Sequence, residues 1–125
     1  MSEVIEHLYT SPVRVLSFLK TLLLPGGLIL VTTPNGLSIS RRLKLLFGIH
    51  PYEMIRESRV NPGHIREYTQ SELINAGADA GLELELTSLE NYTITDSALF
   101  RFIYGTSSVV PSLRNGLIVV LRRPE

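Results

Sequence analysis

At 125 residues and 14.0 kDa the chain has the length of one domain, and 44% hydrophobic against 19% charged residues excludes a disordered polypeptide. Twelve basic and twelve acidic residues cancel, so the global field of a nucleic-acid or acidic-membrane binder is lacking. The absence of cysteine excludes disulfides and thiolate metal sites.

The chain opens on Ser2-Glu3-Val4-Ile5-Glu6-His7-Leu8. Glu3, Glu6 and His7 stand at i, i+3 and i+4, the spacing that stacks side chains on one helix face, with Val4, Ile5 and Leu8 on the other. Ser11-Pro12 then reads as a helix start, serine as cap and proline at the first position. Val13, Leu16, Leu19 and Leu23 recur at helical spacing, while Arg14, Ser17 and Lys20 are expected to face out. The longest apolar stretch, residues 22–31, is cut by Pro25-Gly26-Gly27 and is too short to span a bilayer. With an acidic start that is no signal peptide, a soluble cytoplasmic protein is expected. Residues 28–33 follow as a continuous apolar run, the pattern of a strand buried on both faces in a parallel sheet. Pro34-Asn35-Gly36 stops it.

Within residues 37–63, Ile39, Leu43, Leu46 and Phe47 have helical spacing, with Arg41, Arg42 and Lys44 between them as a solvated basic face. The pattern suggests two short helices broken between Gly48 and Pro51, forming a lid over the strand ends or a cover for the sheet edge. Asn61-Pro62-Gly63 is a turn, and His64 after it is also an ordinary place for a local hydrogen bond. Thr69 with Glu72 forms a capping box for a helix to Ala80, closed by Gly81. Leu82, Leu84 and Leu86 alternate with Glu83 and Glu85 as a half-exposed strand. A short element is expected near 99–104. Asn115-Gly116 turns the chain into a last apolar strand, 117–121. Helix, strand, insert, helix, strand, strand is an α/β order.

EVIEHL, then a helix, LLLPGGLILVTTPN, GHIREYTQSEL and AGLE, taken in that order, resemble the second half of a class I S-adenosylmethionine-dependent methyltransferase. The resemblance implies a partial Rossmann-like fold, a single partial domain over 1–125 with the insert at about 37–63. It implies a mixed sheet in which 28–33, 82–87 and 117–121 are the family's fifth, sixth and seventh strands, the seventh antiparallel between the other two. The family's glycine-rich cofactor loop, and the acidic residue that ends its second strand and holds the ribose, have no match here. The amino-terminal cofactor half is therefore expected to be absent, with Ser2 alone at the cofactor's rim, and the chain to be a truncated half, inactive alone.

Within the family, small-RNA 3′-end methyltransferases and the O-methyltransferases of ubiquinone biosynthesis carry the same acid-x-x-acid-His pattern to hold a divalent cation. In the RNA enzymes a later histidine completes the site, and His64 matches it. By this resemblance Glu3, Glu6, His7 and His64 are metal ligands for Mg²⁺, Mn²⁺ or Zn²⁺, with His7 and His64 catalytic. The implied activity is O-methyl transfer to a small-molecule, lipid or sugar hydroxyl; the chain lacks a basic surface for RNA. The alternative is a non-catalytic interaction module. In either case the 28–33 edge, open without its neighbouring strand, would pair with a separate amino-terminal half or a second copy.

Overall fold

The computed structural model describes residues 1–58, 60, 63–92, 105 and 107–125. The Asn61-Pro62 part of the expected turn and the element expected near 99–104 lie outside the described residues. Among the described residues the main elements follow in order: helix α1 (Pro12–Thr21), strand β1 (Leu28–Pro34), helix α2 (Ile39–Leu46), helix α3 (Gln70–Asp79), and strands β2 (Glu83–Glu90) and β3 (Gly116–Arg122).

The sheet order is β1-β3-β2, with β3 antiparallel to both neighbours. This is the arrangement of the fifth, seventh and sixth strands that the resemblance implies, in an α/β fold. The three strands pair only antiparallel. A parallel component comes from Met1–Glu3, which runs beside β1 with a bridge from Ser2 to Thr32. There Thr32 N donates to Met1 O at 3.0 Å and Glu3 N to Thr32 O at 2.9 Å. The edge expected to stand open is thus engaged at its carboxyl end.

One face of the sheet carries the core. Ile29 and Val31 of β1 and Leu117, Val119 and Leu121 of β3 are buried, and they meet Leu16 of α1 and Leu73 and Ala76 of α3. Both helices pack on that same face, so β1 is not buried on both sides as its unbroken apolar run suggests. Leu28 and Leu30 on the opposite face are half exposed. The alternation expected for β2 is broken as well. A bulge between Leu84 and Leu86 turns Leu86 to the Val120 side, so the core contacts fall to Leu82, buried just before the strand, and to Leu89, partly buried opposite Leu117. Leu84 and Leu86 end up exposed.

Local chemistry explains the helix ends. The Thr69–Glu72 capping box is present in both directions: Glu72 N donates to Thr69 Oγ1 at 3.2 Å, and Thr69 N to Glu72 Oε2 at 2.8 Å. At the other end of α3, Lys20 does not simply face water. Its Nζ donates to Gly81 O at 2.7 Å and Ala80 O at 3.3 Å, placing a cation on the negative end of the helix. Among its described residues the insert holds one helix, α2, rather than two. After Gly48, in the left-handed region at φ +69°, residues 51–58 form no helix. Asn35 secures the strand end, with its side chain accepting from Leu37 N at 3.0 Å and donating to Arg114 O at 2.7 Å.

Burial pushes the Glu72 carboxyl up, but the Thr69 amide and hydroxyl and the Arg66 guanidinium outweigh it and hold it below its ordinary 4.5. A depressed carboxylate stabilises the fold above its unfolded value, and that contribution disappears as pH falls through the lower folded value. Urea unfolding of Glu72→Gln is therefore expected to show a loss of about 0.5–1 kcal/mol at pH 6 that vanishes well below pH 4. Leu117→Ala, at a fully buried position of the central strand, should cost about 3 kcal/mol by the same measurement.

Candidate functional site

The site is built on a turn whose backbone and side chain are both committed. Residues Ile5–His7 form a single 3-10 turn rather than the longer helix that the spacing suggests. Glu3 precedes it with φ +50°, an uncommon conformation for a residue with a side chain, so Glu3 and Glu6 do not share a helix face. The carbonyl of Glu6 accepts two successive amides, Ile65 N at 2.7 Å and Arg66 N at 3.2 Å. That clamp brings the loop carrying His64 against His7, and the two imidazoles meet edge to face with centroids 4.9 Å apart.

Glu6 is 1% exposed. Its Oε2 accepts from Thr33 Oγ1 at 2.8 Å, while Oε1 has no hydrogen-bond partner and faces His7 Nε2 at 3.7 Å. A buried carboxylate oxygen without a partner costs free energy, and such an orphan needs an explanation. The histidines supply one. His7 Nδ1 lies 2.9 Å from Gly63 O, which can only accept, so Nδ1 carries a proton and in the neutral ring Nε2 holds the lone pair. His64 Nδ1 lies 2.9 Å from Glu67 Oε1, fixing the same tautomer by the same logic. Ligating atoms of Glu6, His7 and His64 lie within 4.8 Å of one another. Bonds of about 2.1 Å to a shared cation ask the three side chains to close by an ångström or so. The orphan oxygen and the two fixed tautomers fit such an ion.

Glu3 stands outside this trio. Its Oε1 accepts from Thr32 Oγ1 at 3.1 Å, and its carboxyl is pushed up, first by burial and then by the charge of Glu6, against the pull of Thr32 and of His64 and His7. Ser2, expected at the cofactor's rim, bonds Thr32 through its hydroxyl at 2.8 Å. Both line a cavity of about 740 Å³ beyond the strand ends, shared with Thr32, Ser38, Lys44 and Tyr92. Arg66 and Tyr68 are accounted for by packing. Arg66 pairs with Glu72 at 2.5 Å, and Tyr68 lies in the core at 3% exposure.

Two residues escape a reading of the sequence. Glu67 is buried and holds His64, and Arg41 of α2 grips Glu67 through both terminal and ε nitrogens, the latter at 2.9 Å to Oε2. Arg41 also donates to Pro51 O at 2.9 Å. It is thus a locked internal cation and not part of a solvated face. The His-x-x-Glu spacing of His64 and Glu67 was the available signal, but nothing local pointed to Arg41, 26 residues away.

Residues 1–87 match a family described as a methyltransferase domain. No curated protein matches the sequence. Among solved structures, the chain is similar to one in a complex between the Haloferax volcanii Trm112 methyltransferase activator and a methyltransferase. The TM-score is 0.61 at 16% identity, covering 99% of this chain. At that identity the likeness is one of fold, and the chain spans about half (52%) of the length of the structure it matches.

The Glu67 contact is directly testable by ¹⁵N-resolved histidine NMR. His64 is expected to show the Nδ1–H tautomer in the wild type and a shift towards Nε2–H in Glu67→Ala, with His7 unchanged; an unchanged His64 spectrum would contradict the contact.

Proposed function

Because this chain belongs to the methyltransferase domain family, we propose that it forms the acceptor side of an S-adenosylmethionine-dependent O-methyl transfer, with Glu6, His7 and His64 holding a divalent cation. The observation that carries this reading is the enclosed, partnerless Oε1 of Glu6 opposite His7 Nε2. One carboxylate and two imidazoles suit Mn²⁺ or Zn²⁺ better than Mg²⁺, which prefers oxygen and water. A cation there supplies Lewis acidity to an acceptor hydroxyl.

The chain's own residues set the geometry. Thr33 fixes the Glu6 carboxylate from below, Gly63 fixes His7, and the Arg41–Glu67 pair fixes His64, leaving one lone pair of each ligand free. Glu3, with its carboxyl raised by burial, is placed beside the trio to take the hydroxyl proton or to join the ligands. The cavity beyond the strand ends, lined by Ser2, Ser38 and Lys44, is the place for a small-molecule, lipid or sugar acceptor. For S-adenosylmethionine the fit extends only to the rim at Ser2, since the sequence contains no glycine-rich loop. We assign the cofactor's main contacts to a complementary half, in keeping with a matched structure about twice as long. A second reading, a non-catalytic module pairing with a partner along β1, is favoured by the half-exposed Leu28 and Leu30.

Calorimetric titration with Mn²⁺ or Zn²⁺ distinguishes the two. The wild type is expected to bind one ion, Glu6→Gln and His64→Ala about a hundredfold more weakly, and Glu67→Gln roughly tenfold to a hundredfold more weakly. No metal binding by the wild type sinks the cation site and leaves the module reading. The chain alone should show no heat with S-adenosylmethionine, and micromolar affinity would overturn the assignment of that cofactor to a complementary half.

A further inference from the structure

The cavity beyond the strand ends contains a cation that has no counter-ion among the described residues. Most of the polar groups lining its volume of about 740 Å³ are already committed. Glu67 is held by Arg41 and His64, Glu3 accepts from Thr32, and Asn35 holds Leu37 and Arg114. Tyr92 donates its hydroxyl proton to Leu117 O at 3.2 Å. Lys44 differs from all of these. It is partly buried at the cavity wall, and among the described residues its ammonium forms neither an ion pair nor a hydrogen bond. A lysine drawn out of water without a partner costs free energy, and it brings three donors and no acceptor.

Two serines of the same cavity stand beside it. Ser40 and Lys44 are four residues apart on α2, so their side chains are neighbours on one helix face. The Ser40 hydroxyl lies 3.2 Å from that of Ser38, which is 3% exposed, and neither meets a further partner among the described residues. One proton of the two serves that bridge, and the other is left to be donated. An ammonium and an O–H thus converge on the cavity with nothing to accept from them. The group that satisfies such a donor set is an anionic oxygen. It would bind away from the trio. The charges acting on the Glu3 carboxyl are those of Glu6, His64 and His7, so Glu3 marks the trio's end of the cavity and Lys44 a separate place on its wall.

We propose that Lys44, with the Ser38–Ser40 hydroxyl pair, anchors an anionic group, carboxylate or phosphate, on the methyl acceptor. The acceptor is then a hydroxyl compound that carries a negative charge. Held at Lys44, it is oriented with its hydroxyl towards Glu3 and the trio. A compound bearing an amine in the anion's place is rejected by the same charge. That the anion's bearer is the methyl acceptor rests on the methyltransferase reading; the anion site itself does not.

Amide NMR titration of the full chain with sodium phosphate and with sodium acetate, against sodium chloride at equal ionic strength, tests the anchor without metal or cofactor. Saturable shifts at Ser38, Ser40 and Lys44 are expected in the wild type, and they should weaken as salt is added. Lys44→Gln should lower the affinity about tenfold. Lys44→Arg should restore most of it, and Arg42→Gln, at an exposed position of the same helix, should bind as the wild type does. Unchanged circular dichroism and thermal melts will show that Lys44→Gln folds. Tighter binding of phosphate assigns a phosphoester to the acceptor, and tighter binding of acetate a carboxylate. Shifts that grow linearly with both anions overturn the anchor, as does saturable binding that survives in Lys44→Gln. Calorimetry with Zn²⁺ on the same samples keeps the two readings apart. Lys44-dependent anion binding by a chain that takes up no Zn²⁺ leaves the anchor standing and sinks the cation site alone.

Discussion

Glu6 is the residue on which the rest of the molecule turns. Its carboxylate is taken out of water on the strength of one hydrogen bond from Thr33, and its carbonyl holds the 64–66 loop through two amides. Burying a carboxylate with one oxygen unpartnered costs several kcal/mol unless something compensates. The position therefore makes physical sense as half of a site and not as a stabilising ion pair. His7 Nε2 faces that oxygen at 3.7 Å, and a shared cation would satisfy both.

From that anchor two layers of support spread outward. Gly63 can place its carbonyl on His7 because its own backbone lies at φ +79°, where a side chain would be strained. On the other side the chain Arg41–Glu67–His64 runs from the insert into the site with both acid and base largely enclosed. Each link has geometry but little tolerance for a changed partner, since removing the arginine leaves a buried carboxylate uncompensated. The insert is consequently tied to the site by its inner face while Leu45, Leu46 and Phe47 stay exposed.

Much of the architecture was legible because it is written in local signals. Thr69-x-x-Glu72 is a reciprocal cap that needs no tertiary partner, and it forms as read. The order of the strands followed from the resemblance of four segments in register. Where local reading failed, a distant contact decided. The apolar run of β1 does not distinguish a strand covered on two faces from one covered on one, because the covering helices belong to other parts of the chain. The bulge at β2 is set by pairing with β3, so of the alternating Leu82, Leu84 and Leu86 only Leu82 reaches the core. Lys20 likewise looks solvent-facing on its own helix and becomes a cap only because α3 ends beside it.

The sequence by itself determined the first long helix, the capped helix, the three strands, the α/β order and the set of residues from which a site could be drawn, since these depend on spacing and backbone chemistry within a few residues. Only the tertiary structure separated Glu3 from the trio, because a positive φ and a three-residue turn replaced the expected helix face. Only it joined His64 to His7 across 57 positions through the clamp on Glu6, and only it turned Arg41 inward and the leucines of α2 outward. Contacts of that range are chosen by packing and by the satisfaction of buried polar groups, for which no local pattern in the chain is a sufficient sign.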